Sequence, residues 1–101
     1  IIQLPYKSQY QPNNDSINVV FKLTGKLARI YKLYENEVIV EKKNSPYHII
    51  ISSNVEDDEL LISRLLKYGE FCEILSPFNS RRKIINIINE LIKRYTNKLI
   101  S

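Results

Sequence analysis

The chain has 101 residues, 44% of them hydrophobic and 26% charged, with two glycines and four prolines. That is the composition of one globular domain with one modest core, and it argues against a disordered, fibrous or disulfide-stapled chain. Net charge is +4, a weak pull toward polyanions. No apolar run approaches the roughly 20 residues of a membrane span. The single Cys72 excludes an internal disulfide and fits a reducing, cytoplasmic setting.

The chain opens Ile1-Ile2 and contains no Met, which reads as a fragment of a longer protein. Residues 1–16 hold two prolines and a Gln/Asn/Ser cluster, so they are expected to be a linker from a missing upstream domain. Tyr6 and Tyr10 could pin that linker to a neighbour. Residues 17–101 are expected to be the folded domain.

Ile17 to Leu23 predicts a strand, with Val19, Phe21 and Leu23 on one face at period two. Thr24 offers an N-cap for a helix over Gly25 to Tyr34. Its Leu27, Ile30, Tyr31 and Tyr34 follow helical spacing toward the core, with Lys26, Arg29 and Lys32 opposite. Glu37 to Lys43 predicts a second strand, in which Val38 and Val40 alternate with Glu37, Ile39 and Glu41. Asn44-Ser45-Pro46 makes a turn. Tyr47 to Ser53 then predicts an antiparallel third strand, central in the sheet because of its three consecutive isoleucines.

A second helix is expected over Asn54 to Tyr68. Acidic residues Glu56 to Glu59 open it and Arg64 and Lys67 close it, an order that suits the helix dipole at about 0.3–1 kcal/mol per charge. Leu61, Leu65 and Tyr68 form its apolar row, with Ile62 and Leu66 beside them. Gly69 supplies a left-handed ending. Phe71 to Leu75 reads as a fourth strand, stopped by Pro77. Ser80 is expected to cap a last helix to about Asn97, with an apolar stripe of Ile84, Ile87, Ile88, Leu91, Ile92 and Tyr95. Arg81, Arg82 and Lys83 at its start oppose the dipole.

The order βαββαβ plus a helix predicts an α+β domain. Its expected form is a ferredoxin-like, four-stranded antiparallel sheet with the first two helices on one face and an added C-terminal helix.

Several motifs then coincide. Glu59-Leu60-Leu61 leads into Leu65-Leu66-Lys67-Tyr68-Gly69. Glu73-Ile74-Leu75-Ser76-Pro77 follows, and Arg81-Arg82 open a helix that reaches Tyr95. With the strand Val19-Val20-Phe21-Lys22-Leu23 and the Ala28 helix upstream, this resembles the C-terminal extension (WCX domain) of WYL-domain transcriptional regulators, over about Ile17 to Tyr95. The resemblance implies a bacterial, cytoplasmic, ligand-sensing regulator in which a helix-turn-helix and a WYL domain precede this segment. It further implies that the extension is non-enzymatic, contributes to dimerisation and couples ligand sensing to DNA binding. DNA would be bound through the missing N-terminal helix-turn-helix. The effector would be a nucleic acid or a small molecule. Relatives often carry Trp in the helix where this chain has Arg64.

Residue by residue, enzyme chemistry is poorly served. His48 is the only histidine and has no partner ligands in sequence, so no metal site is expected. Cys72 lies in an apolar strand and reads as a small hydrophobe. The Glu56 to Glu59 cluster lacks the alternating oxygens and Gly of a calcium loop. No cofactor and no catalytic residue are expected. The candidate anion or nucleic-acid site is Arg81, Arg82 and Lys83, beside the free N–H groups of a helix start. Lys22, Lys26 and Arg29 offer a second basic surface. Two alternatives to the regulatory reading stand: a small-molecule-binding ferredoxin-like module, and a direct binder of single-stranded nucleic acid.

Overall fold

The structure, a computed structural model, describes residues 16–44 and 46–100, the side chains of residues 98–100 left aside. The expected linker, with Tyr6 and Tyr10, lies outside them except for Ser16.

The elements run β1 (Ile17–Thr24), α1 (Gly25–Ile30), β2 (Glu37–Lys43), β3 (Tyr47–Val55), α2 (Asp58–Leu66), a 3-10 turn (Gly69–Phe71), β4 (Cys72–Ser76) and α3 (Phe78–Ile100). The four strands form one antiparallel sheet in the order β2-β3-β1-β4. The domain is therefore α+β with a C-terminal helix, and β3 lies inside the sheet as its isoleucines require.

Register builds the core. Phe21 stands opposite Ile50 on one side and Ile74 on the other, so the three share one face across three strands. All three are buried, as are Val19 and Leu23 on the same face of β1. Val55 at the end of β3, Ala28 of α1 and Leu61, Ile62 and Leu65 of α2 complete that cluster, with Leu27, Tyr31, Tyr68 and Ile84 among the residues packed at its edge. Each large apolar side chain so removed from water contributes about 1.5–3 kcal/mol. The other face of the sheet carries Val20, Lys22, Ile49 and Ile51, each half-buried.

Three local expectations, for α1, α2 and α3, are corrected, and the inward face of β2, left open by the sequence, is seen. Helix α1 stops at Ile30, where Tyr31 takes an extended conformation. Its inward face centres on Ala28, whose small side chain lets the helix approach the sheet, and Ile30 is 63% exposed. In β2 it is Glu37 that is buried, while Val38 and Val40 face solvent, because β2 is an edge strand and its register shifts between Ile39 and Glu41. Helix α2 begins at Asp58, with Asp57 as its N-cap accepting from the Glu59 amide at 3.0 Å; Asn54 belongs to β3, next to its last residue Val55, at a positive φ of 55°. Helix α3 begins at Phe78, three residues before the Arg81 start that a Ser80 cap implies, so Ser80 lies within its first turn and is fully buried.

Candidate functional site

The polar residues of the domain assemble at two points. The first is the joint between α2 and α3. Ser80 donates to one oxygen of Asp58 at 2.6 Å, and Lys83 donates to the other at 2.8 Å. Burial alone would raise the Asp58 carboxyl, but these two hydrogen bonds outweigh it and hold the group below its usual range. The same bond to Asp58 raises Lys83. On the other side of the helix start, Arg81 reaches Glu73 at 2.8 Å and the Ile74 carbonyl at 2.7 Å. The basic opening of α3, which opposes its dipole, is thus offset by two carboxylates from α2 and β4.

Two of the three cations in the expected anion site, Arg81 and Lys83, are therefore committed to carboxylates of this same domain. Arg82 is exposed and lines a shallow groove with Asn79, Lys83 and Asn86. The second expected basic surface does not assemble either. Lys22 lies on the open sheet face, its ammonium 4.8 Å from the Tyr47 ring centre, whereas Lys26 and Arg29 belong to α1. Lys26 instead lines, together with Lys67, a groove formed by Leu27, Ile30, Tyr68 and Phe71.

The second point is one that sequence reasoning missed. Glu37, its side chain wholly buried, accepts from Arg64 at 2.8 Å and from the Tyr31 hydroxyl at 2.7 Å, as well as from the Tyr34 amide at 3.0 Å. Arg64 also donates to the Tyr31 oxygen at 2.6 Å and lies 3.9 Å from the Tyr34 ring centre. Tyr31 packs edge-on against Phe21 and Tyr68. Burial, first of all, moves the Tyr31 hydroxyl well above its usual range. Burial alone would lower Arg64, but its bonds to Glu37 and Tyr31 outweigh that and raise it. This network ties α2 to the head of β2 and to the end of α1. The available signal was Arg64 itself, a charge among the apolar residues of α2.

Groups for chemistry are few. Burial pushes the Cys72 thiol up to about 12, which keeps it in the neutral, poorly nucleophilic form. Among the described residues no three His, Cys, Asp or Glu side chains converge as metal ligands, and no helix is long and apolar enough to cross a membrane.

What remains unsatisfied is the surface of α3. Beyond Ile84, every residue from Ile85 to Asn97 is exposed, although the helix continues unbroken. Its apolar stripe is turned to water: Leu91 is 37%, Ile92 56% and Tyr95 68% exposed. Of the stripe, Ile84 alone packs against the core. Short helices draw most of their stability from burying an apolar face, and contiguous apolar surface of this kind marks an interaction site. Next to it, Glu59, Ile62 and Ser63 of α2 and Lys83, Asn86 and Ile87 of α3 line an open groove of about 370 Å³. The candidate functional site is this projecting stripe with its adjoining groove. No family model matches the chain, and no curated protein sequence matches it.

Proposed function

We propose that this chain is a ferredoxin-like regulatory and self-association domain of the WCX type, acting without catalysis within a bacterial, cytoplasmic WYL-family transcriptional regulator. DNA would be bound by an upstream helix-turn-helix, and this domain would set the geometry in which two such readers meet their half-sites. The strand order β2-β3-β1-β4, with helices after β1 and β3, supports the ferredoxin-like reading. The observation that carries the functional reading is the exposed apolar stripe of α3. A helix that protrudes from its own core with Ile, Leu and Tyr facing water is built to be covered.

The test is a fusion of the 101-residue chain behind a monomeric helix-turn-helix reader. Self-association should raise affinity for an operator with two half-sites far above that for one, since the second contact becomes intramolecular. Equal affinity for one and two half-sites would reject the proposal.

A further inference from the structure

The stripe on α3 reads the same from either end. Ile87 mirrors Ile92 and Ile88 mirrors Leu91 about a centre between Asn89 and Glu90, while Tyr95 comes level with Ile84 at the edge of the core. Two copies of the helix laid antiparallel across a two-fold axis at that centre would place each apolar residue against another apolar residue. A parallel pairing would also match apolar rows. The antiparallel arrangement differs in what it does with charge.

Charge is where a second copy becomes the fitting occupant. Helix α2 lies on the flank of α3 that carries Lys83, Asn86 and Ile87, and Glu59 faces the groove between them. Glu59 is exposed and forms no ion pair among the described residues. Arg94 lies on the same flank of α3, since it shares a surface groove with Asn86, Ile87 and Leu91; it too is exposed and forms no ion pair among those residues. A two-fold axis perpendicular to the plane of the paired helices keeps each flank on its own side of the pair. About the Asn89–Glu90 centre, Arg94 of a second copy comes level with Ile85, alongside the groove that holds Glu59. By symmetry the contact forms twice. In a parallel pair the two-fold axis would run along the helices, placing Arg94 level with Arg94 on the opposite flank and out of register with the groove that holds Glu59.

We infer that two copies of this chain associate through an antiparallel α3–α3 pairing centred between Asn89 and Glu90, with Arg94 of each copy engaging Glu59 of the other. The inference rests on the self-association reading above and specifies the surface, direction and partner residues of that association.

The test uses the 101-residue chain and four variants: Glu59→Arg, Arg94→Glu, the double exchange, and Leu91→Asp. All three positions are in helices, and none is a fully buried core residue. Circular dichroism checks the fold, and sedimentation equilibrium reads the dimer constant. Each single charge reversal should weaken the dimer about tenfold or more, and the double exchange should restore it. Leu91→Asp should abolish it. A dimer that is indifferent to Leu91→Asp, or one in which the double exchange is no tighter than either single reversal, overturns the antiparallel pairing and leaves self-association standing. A strictly monomeric wild-type chain at high concentration overturns both.

Discussion

Arg64 on α2 and Glu37 at the head of β2 meet at 2.8 Å, with the Glu37 side chain wholly removed from water and Arg64 only partly so. The charge on Glu37 has no solvent to turn to, so its stability depends on the guanidinium and on the Tyr31 hydroxyl.

Removing the cation should therefore cost more than removing both charges. Arg64→Met alone is predicted to destabilise the domain by about 3 kcal/mol, because it leaves a buried carboxylate unpaired. Arg64→Met with Glu37→Gln should cost roughly 1 kcal/mol, since the amide oxygen still accepts from Tyr31 and Tyr34. Urea unfolding of the three proteins decides this, and a double variant less stable than the single would refute it.

The Asp58 joint gives a pH dependence. Its carboxyl is held below the usual value in the fold, so the unfolded chain binds that proton more readily. The stabilisation is fully present above about pH 5 and is lost as the pH falls through the ordinary carboxylate range near 3.9 toward the lower folded value. Asp58→Asn should start less stable at pH 6 and lose less on acidification to pH 3. Urea midpoints that fall in parallel for the two proteins would exclude this linkage.

The two glycines separate backbone strain from crowding. Both have positive φ, 61° at Gly25 and 58° at Gly69. A Cβ at Gly25 would also come within 3.2 Å of the Phe71 ring, whereas at Gly69 it would meet nothing within 4 Å. Gly69→Ala should cost about 1 kcal/mol from the left-handed conformation alone. Gly25→Ala should cost more, roughly 2 kcal/mol, unless Phe71 is shortened as well. Thermal unfolding of Gly25→Ala with and without Phe71→Ala resolves the two contributions.

Helix α3 should be stable in two different degrees. Amides up to about Ile84 are tied to the core through Ser80 and Ile84, so they should exchange slowly at any concentration. Amides from Ile88 to Asn97 should exchange fast in dilute protein and become protected as concentration rises. Protection that is independent of concentration would show that the helix holds itself.

Much of the fold was legible because its signals are local. The period-two row Val19, Phe21, Leu23 marked the inward face of β1, and Gly69 marked the end of the α2 segment. The core residues Leu61, Ile62 and Leu65 followed from helical spacing. What escaped was set by tertiary contact. Alternation in β2 left open which of its faces turns inward, and the inward place goes to Glu37, which meets Arg64 there. Helical spacing likewise carried α1 on to Tyr34, yet Tyr31 leaves the helix and its hydroxyl joins Glu37 and Arg64. The basic start of α3 was correctly singled out as a local conflict. Its resolution, through Asp58 and Glu73, required knowing which elements lay beside it. The apolar stripe of α3 was also read correctly as a pattern, but periodicity cannot distinguish a face turned to its own core from one turned outward.

The anchoring of α3 by Ser80, Lys83 and Arg81 at its start gives the domain the mechanics of a lever. From that joint to Tyr95 the arm is about 22 Å long at 1.5 Å per residue. A tilt of about 10° at the joint would swing its tip by roughly 4 Å, more than half the pitch of a helix. Small changes in the packing of α2 would therefore reach whatever is attached to the far end as displacements large enough to change register.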